Sequence, residues 1–479
     1  MLFNSIDFAF FLPVVFILYW FGANNNRVAQ NLLLLVASYF FYSCWDYRFL
    51  ALLIFSTCLD YFSGLQIARS HQASVRKMWL VTSVVVNLGL LGFFKYYNFF
   101  VENFASLVQH ATGYRPDTWT LHIILPIGIS FYTFHGLSYV FDIYNKKIRP
   151  TTSFIDYALF VGFFPLLVAG PIERATHLLP QVASPRHFNY NKLVDGLKQI
   201  LWGLFKKIVV ADMAAGYVND VFAQSGQYAG STLVLGAVVF AFQIYGDFSG
   251  YSDIALGTAK LFGFDLLRNF AFPYFSRDIA EFWRRWHISL TTWFRDYLYI
   301  PLGGSKGSMW TTTRNVFIIF LVSGFWHGAN WTFVSWGLLH ALFFLPLLLA
   351  SKNRRHLDIV AQGRLFPSFK ELLQLVTTFT LVTFAWIFFR AESMEQAVVY
   401  VSRIFSRSLL HVPETVPVEL FFFITVLLVI EWTGRAQQYA IARIGFKWPA
   451  ALRWAFYYLI IIAILDRGGN RQQFIYFQF

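Results

Sequence analysis

The sequence predicts an all-α protein that crosses a membrane many times. Hydrophobic residues make up 57% of the 479-residue chain and charged residues only 13%, about half the share expected of a soluble domain. Mean hydropathy is +0.51. Apolar runs recur along the whole length. Several are shorter than the roughly 20 residues that a straight span needs, so tilted, broken or re-entrant helices are expected.

Each predicted span is an apolar run bounded by polar or turn-forming residues. In chain order the runs cover residues 6–21, 31–42, 49–67, 79–94, 121–139, 158–168, 234–244, 316–325, 375–389, 420–430 and 455–465. No Lys or Arg precedes Arg27, so the first run lacks the positively charged start of a secretory leader. We therefore predict no cleavable signal peptide.

The basic residues of the first half predict the orientation of the chain. The net charge of +13 indicates basic cytoplasmic loops rather than binding of nucleic acid. Basic residues follow the first, third and fifth spans: Arg27; Arg69, Arg76 and Lys77; Lys146, Lys147 and Arg149. This pattern places the N-terminus outside. The basic residues before the last span (Arg443, Lys447 and Arg453) outnumber those after it (Arg467 and Arg471), which predicts that the C-terminus is also outside.

The densest polar chemistry lies in "SRDIAEFWRRWHISLTTWFRDYLYIPLGGSKGS", residues 276–308. Its apolar residues recur at helical spacing and predict a single stripe on one helix: Ile279, Phe282, Trp283, Trp286, Leu290, Trp293 and Phe294. His287 lies at the edge of that stripe, where it points toward protein. Arg284 and Arg285 occupy the other face. The alternative interpretation is an interfacial helix whose arginines meet lipid headgroups.

A second stretch, "SGFWHGANWTFVSWGLLH" at residues 323–340, places His327 between Trp326 and Gly328, with Asn330 predicted one helical turn further on. An imidazole and an amide are costly in hydrocarbon, so each needs a partner, a cavity or a chemical role. The glycines leave room for a ligand or a backbone to approach closely. A buried structural histidine is the alternative.

Taken together, these motifs are specific enough to suggest a family. The two histidine stretches, with "GFFPLLVAGPIER" (162–174) and "FQIYGDFSGYSDIALGTAKLFGF" (242–264), resemble the membrane-bound O-acyltransferase family and its bacterial, polysaccharide-acetylating branch. The resemblance covers essentially the whole chain. It implies one domain over 1–479: N-terminal helices (1–150), a core with the histidine motifs (151–350), C-terminal helices (351–465) and an extracytoplasmic tail (466–479). It also implies a ring of about 11–14 transmembrane or re-entrant helices around a thin core with a central tunnel.

The resemblance implies a function as well. An acetyl group would pass from a cytoplasmic thioester, acetyl-CoA by default, across the inner membrane for O-acetylation of an exported polysaccharide of the alginate type. Peptidoglycan and cellulose are alternative acceptors. A transporter or a non-catalytic scaffold of an export complex is the alternative class. The implied partners are membrane lipids, the polysaccharide and a periplasmic SGNH-type acetyltransferase.

The resemblance places the family's essential histidine at His327 and its second polar position at His287. Acyl transfer to a hydroxyl needs a base and donors for the oxyanion. Imidazole, with an unperturbed pKa near ~6.5, can be that base, and desolvation keeps it neutral. We expect Arg284, Arg285 and Lys306 of a basic inner rim to attract the phosphates of the donor. Trp326 and Asn330 are further candidate binding residues.

The final hexapeptide "FIYFQF" resembles the C-terminal motif of the small partner peptide in teichoic acid D-alanylation, where a tyrosine relays the acyl group. An aromatic chain end suggests docking rather than fraying. By that resemblance Tyr476, deprotonated with help from His327, takes the acetyl group as a phenyl ester. That ester is activated, because a phenol with pKa near ~10 is a better leaving group than a sugar alcohol. The alternative is a hydrophobic plug that seals the outer funnel.

Two further features complete the expectations. "YGDFSGYSD" puts Asp247 and Asp253 into an apolar region, where a substrate path is possible but capping at a helix break near residues 246–250 is favoured. The two cysteines lie in apolar surroundings, and the histidine spacings form no ligand set. We predict no metal site and no permanently bound cofactor.

Overall fold

A computed structural model describes residues 1–479 except 24–25, 115, 119, 122, 169, 470–471, 473 and 476–479. Within the described residues, every regular element is a helix. The prediction of an all-α, polytopic membrane protein is confirmed. The chain forms two compact units, 1–189 with 261–266, and 190–260 with 267–479. The single domain inferred over the whole chain stays a prediction.

The first unit contains eight α-helices among its described residues. They are α1 (Ile6–Ile17), α2 (Arg27–Ser43), α3 (Tyr47–Arg69), α4 (Ala73–Thr112), α5 (Ile129–Tyr144), α6 (Phe154–Gly162), α7 (Phe164–Leu167) and α8 (Ala175–Ala183), and a π-helical turn, Leu18–Gly22, extends α1. Side-chain caps begin several of them; the hydroxyl of Ser5, for example, accepts from the Phe8 amide and starts α1.

The second unit carries both histidine stretches. Its helices are α9 (Tyr190–Leu204), α10 (Met213–Ala223), α11 (Gly230–Leu261), α12 (Ile279–Arg285), α13 (Ile288–Phe294), α14 (Met309–His327), α15 (Trp331–Leu349), α16 (Phe369–Arg390), α17 (Met394–Ile404), α18 (Val418–Gly434) and α19 (Ala450–Arg467). π-helical segments at Phe205–Asp212 and Arg295–Tyr299 follow α9 and α13, and short 3-10 turns lie at Pro273–Phe275 and Arg407–Leu410.

Five of these helices, α3, α4, α11, α15 and α16, are long and apolar enough to cross a membrane. The combined helix Ile6–Gly22 is apolar but shorter. Several buried polar side chains in the spans have partners, which hydrocarbon surroundings favour. In the first unit, for example, Ser83 and Asn87 of α4 donate to the carboxylate of Asp60 on α3 over 2.6 and 2.8 Å.

Helix α11 runs unbroken through residues 246–250, so the expected helix break is wrong. Gly246 and Gly250 let a second backbone approach instead. A Cβ at Gly250 would lie 2.8 Å from the carbonyl oxygen of Gly203 and 3.0 Å from the amide nitrogen of Lys207. Asp247 therefore sits in mid-helix, where capping does not explain it.

Helices α14 and α15 cross at two glycines. A Cβ at Gly324 would meet the Phe333 carbonyl oxygen at 2.3 Å, and one at Gly337 would meet the Phe320 carbonyl oxygen at the same distance. Small residues let helix backbones pack this closely, which is a common solution in membranes. The sequence predicted that a ligand or a backbone approaches closely at the glycines of this stretch. At Gly324 it is the backbone of Phe333 that does so. This crossing fixes the end of α14, where His327 lies.

Candidate active site

His287 links two helices that the apolar stripe had predicted as one. α12 ends at Arg285 and α13 begins at Ile288, and His287 adopts φ +43° in the left-handed region. A non-glycine residue there costs of order 1–3 kcal/mol and persists only when its surroundings hold it. The prediction of a single amphipathic helix is therefore wrong, and the break points a buried imidazole, 1% exposed, inward.

Asn269 holds the His287 ring. Nδ1 of His287 lies 3.1 Å from the Asn269 Oδ1 atom, which also accepts from the Ser289 hydroxyl at 2.9 Å. The backbone is tied at the same point, because the Ile288 amide donates to the Asn269 carbonyl over 2.9 Å. With Oδ1 as the acceptor, Nδ1 carries the proton and Nε2 keeps its lone pair. Among the described residues, Nε2 has no hydrogen-bond partner.

His327 is the last residue of α14 and is 4% exposed. Aromatic rings surround its imidazole, with centroid distances of 4.9 Å to Trp326, 5.1 Å to Trp336 and 5.3 Å to Phe389. The His287 ring lies 6.5 Å away. Trp326 contacts both histidines, since its centroid is 6.1 Å from that of His287. The structure therefore brings His287, Trp326 and His327 into one aromatic chamber.

Asn330 does not lie one helical turn beyond His327 on the same helix, because α14 ends at His327. Asn330 is the N-cap of α15: its Oδ1 accepts from the Thr332 amide at 3.0 Å, and its Nδ2 donates to the Glu392 carbonyl at 2.8 Å. Both ends of the amide are thus used in holding the chain. The neighbouring Trp331 is exposed.

Arg284 and Arg285 make contacts within the protein. Arg284 donates to the carbonyls of Asn353 and His356 over 2.8 and 2.7 Å. Arg285 donates to Glu281 over 2.7 Å, and Glu281 also binds Arg277. These contacts replace the lipid headgroups of the interfacial alternative. Arg277 also donates to Asp358, and this hydrogen bond holds the pKa of that carboxyl below its usual range.

A cavity of about 440 Å³ lies next to this arginine cluster. Its size falls within the range typical of small-molecule sites. The lining is largely apolar, with three arginines and a few polar side chains: Arg284, Arg295, Arg354, Thr292, Tyr299, Ser305 and Asn353. Ser323 also lines it, one turn before His327 on α14. Lys306 lies in the neighbouring loop and is exposed, but it is not among the lining residues.

In the predicted tail (466–479), α19 extends to Arg467, and the structure describes residues 466–469, Gln472, Phe474 and Ile475. Tyr476 lies outside the described residues. Phe474 is fully buried and lies 4.5 Å from Tyr251 and 6.0 Å from Phe248. Phe248 in turn lies 4.7 Å from His287. The expectation that the tail docks is confirmed for these residues.

Comparison with known proteins identifies the family. Residues 77–381 match the membrane-bound O-acyltransferase family. The chain belongs to that family. It is 42% identical to a protein of Pseudomonas aeruginosa named "probable alginate O-acetylase", over 83% of this chain and 73% of that one. A protein of the same name from Pseudomonas putida aligns over 100% of both chains at 37% identity.

A third relative is named for a different acceptor. The peptidoglycan O-acetyltransferase of Helicobacter pylori is 36% identical, over 83% of this chain and 78% of that one. Membrane-bound O-acyltransferases with these names modify polysaccharides, so the enzyme class inferred from the two histidine stretches is confirmed.

Sequence reasoning missed Asn269, the residue that orients one of the two histidines of this O-acyltransferase. Asn269 precedes His287 by 18 residues, with a 3-10 turn and α12 between them, and no periodicity links the two positions. The structure also buries His340, whose Nδ1 accepts from the Trp283 indole at 3.2 Å. This contact fixes α12 against α15.

Replacing Asn269 with Ala frees the His287 ring and is expected to lower the turnover number by up to about 100-fold, since misplacement by about 1 Å costs that much. The apparent Michaelis constant for the donor should change little. Asn269→Asp keeps an acceptor oxygen and should restore part of the rate. Steady-state kinetics of purified protein check this.

Ser289→Ala is the matched control, because it removes the other side-chain donor to the same oxygen and leaves the histidine contact intact. An Asn269→Ala enzyme with wild-type turnover would show that the asparagine does not position His287.

Proposed function

We propose that this O-acyltransferase takes acetyl groups from acetyl-CoA at the cytoplasmic face and delivers them across a bacterial inner membrane for O-acetylation of an exported polysaccharide. The observation that carries the proposal is the pair of buried imidazoles, His287 and His327, beside an arginine-lined cavity. The relatives named for alginate make an alginate-type polymer the first acceptor to test. Peptidoglycan comes second, and cellulose third.

The two histidines act on a group held between them. Their ring centroids are 6.5 Å apart, and imidazole nitrogens lie close to the centroid, so the rings are too far apart for a direct hydrogen bond. His287 offers the Nε2 lone pair as an acceptor. It is therefore suited to orienting an O–H or N–H of a substrate rather than to donating to an oxyanion.

His327 takes the proton in the proposed chemistry. The acceptor hydroxyl oxygen attacks the thioester carbonyl carbon while its proton passes to His327. The tetrahedral intermediate then collapses, the carbon–sulfur bond breaks, and the imidazolium returns the proton to the thiolate of coenzyme A. The products are an ester and a free thiol, with no net change in protons. The surrounding tryptophan and phenylalanine rings exclude water that would hydrolyse the thioester.

His327→Ala removes the base and is expected to lower acetyl transfer by about 10²- to 10⁴-fold, the usual contribution of a positioned general base. Abundance and membrane insertion should match wild type. The measurement is the ester content of the secreted polysaccharide together with immunoblots of the membrane fraction.

His411→Ala is the control, because His411 is exposed in a loop. Normal acetylation in a well-expressed His327→Ala strain would favour a transporter or a non-catalytic scaffold.

The cavity supports acetyl-CoA as the donor. Arg284, Arg295 and Arg354 supply guanidinium groups that suit phosphate oxygens in charge and geometry. The apolar remainder of the lining suits the extended arm that carries the thioester. Ser323 marks the inner part of this route, one turn from His327. Lys306 adds a mobile positive charge outside the lining, and Trp326 closes the chamber around the acyl group.

Removing charge at the cavity should weaken donor binding more than it slows chemistry. Arg354→Gln and Lys306→Gln are each expected to raise the apparent Michaelis constant for acetyl-CoA by about tenfold, one lost contact of about 1.4 kcal/mol, with little change in turnover. Kinetics on purified protein give both constants.

Arg355→Gln is the matched control: it removes the same charge from the neighbouring exposed residue, which does not line the cavity. Unchanged constants in both Arg354→Gln and Lys306→Gln would exclude this cavity as the donor site. Arg285 is a poorer probe, since its loss strips a partner from buried Glu281.

Acetyl groups leave the membrane, in our proposal, on the C-terminal tail. The phenol of Tyr476 is the hydroxyl that attacks acetyl-CoA, which yields a phenyl ester and coenzyme A. A periplasmic SGNH-type partner then moves the acetyl group to the polysaccharide. The burial of Phe474 and Ile475 next to Tyr476 supports the relay, because it brings the tail to the aromatic surroundings of His287. Both termini are periplasmic in this scheme.

Tyr476→Phe keeps the ring and removes only the nucleophile, so polysaccharide acetylation should fall to background. Tyr458→Phe, a change at an exposed tyrosine of α19, is the control and should acetylate normally. Ester content of the secreted polymer is the readout. If Tyr476→Phe acetylates like wild type, the tail is a hydrophobic plug and the relay is wrong.

A further inference from the structure

Three charged side chains are buried together in the second unit, outside the two histidine stretches. Lys207 Nζ lies 2.7 Å from Asp212 Oδ1 and 2.6 Å from Asp247 Oδ1. Lys207 is 1% exposed, Asp247 3% and Asp212 5%. We refer to Lys207, Asp212 and Asp247 as the triad. One lysine faces two aspartates, so the triad requires further hydrogen-bond donors.

The backbone of the C-terminal tail supplies one of them. The amide of Ile475 donates to Asp247 Oδ2 over 2.6 Å. Lys207 Nζ in turn donates to the Gln472 carbonyl over 3.3 Å. Two members of the triad thus contact tail backbone, and the third, Asp212, pairs with Lys207. These contacts involve the main chain of the tail and not its side chains. They therefore fix the path of the tail backbone.

Because the triad is buried, its contacts with the tail affect the position of the tail. Charged groups removed from water are costly unless their remaining lone pairs and protons are satisfied, and replacing such a cluster by apolar residues is often neutral or stabilising. A stable core therefore does not need this cluster. The contacts instead discriminate one tail position from all others, because a displaced tail leaves a carboxylate buried without its donor.

Contacts of the tail side chains also orient the docked tail. Phe474 packs on Tyr251 and Phe248 of α11, and Phe248 separates it from His287 by a single ring. Tyr251 also lies under the Lys207 ammonium, 5.4 Å from it. Position 476 follows directly on Ile475, the residue whose amide is held by Asp247.

We propose that the triad is a docking site for the extended C-terminal backbone, and that its three members are positioning residues for the acyl-accepting end of the chain. The docking stands independently of the chemistry at Tyr476, whereas its consequence for rate rests on the proposed function. In a chain with the triad disrupted, the tail leaves α11, and acetyl transfer to the tail slows although the donor still binds.

Asp247→Asn tests the docking in full-length protein. Hydrogen–deuterium exchange of the C-terminal peptide should become faster than in wild type, because the Ile475 amide loses its charged acceptor. Turnover should fall on the order of 10- to 100-fold, as expected of a displaced reactant, with the Michaelis constant for acetyl-CoA unchanged.

Asp253→Asn is the matched control, because Asp253 lies on the same helix and pairs with the neighbouring lysine, Lys206, over 2.6 Å. Its hydrogen bonds run to Lys206 and Gln199, and none reaches a described residue of the tail. Exchange of the C-terminal peptide should match wild type in this variant.

Phe474→Ala is a second test variant. It leaves the triad intact and can be used if Asp247→Asn does not fold. It should also speed exchange of the tail and lower turnover. Unchanged tail exchange in a folded Asp247→Asn or Phe474→Ala protein overturns the docking. Faster exchange, together with normal acetylation by Tyr476→Phe, keeps the docking and overturns only the relay.

Discussion

The hydrogen bond between His287 and Asn269 is the contact on which the proposed chemistry depends. An apolar interior offers an imidazole no substitute for a lost partner, since no water is at hand to replace it. Asn269 therefore sets both the ring orientation and the proton position of His287. It also holds a left-handed residue that would otherwise relax, because the Ile288 amide binds the Asn269 carbonyl. Asn269 thus maintains both the strained backbone of His287, through its main-chain carbonyl, and the orientation of the His287 ring, through its side chain.

Both histidines lie at helix ends. His287 separates α12 from α13, and His327 closes α14 before the extended Gly328. The glycine crossing of α14 and α15 and the cap at Asn330 hold this geometry, which explains why several residues near the site have structural roles.

The parts of this structure that sequence predicted are those encoded locally. The apolar runs predicted a membrane protein, and two short motifs predicted His287 and His327 as candidate site residues. The break at His287 was missed because the apolar spacing continues across it: Trp286 and Leu290 are four residues apart whether or not the helix is interrupted. Asn269 could not be found, since it lies on a different segment from His287, on the other side of α12, and no periodic spacing links the two residues. Asp247 was taken for a cap, because its true partner, Lys207, belongs to another element that approaches through Gly246 and Gly250.

Acetyl transfer onto the protein itself, with neither partner nor polysaccharide present, tests the central claim most directly. Purified protein would be mixed with isotopically labelled acetyl-CoA, quenched and analysed by mass spectrometry alongside a count of released thiol. The account predicts about one thiol released per chain and one labelled acetyl group on the C-terminal peptide, with neither in His327→Ala. Labelled peptide at wild-type levels in His327→Ala, or thiol release with no acetyl group on the chain, would contradict it.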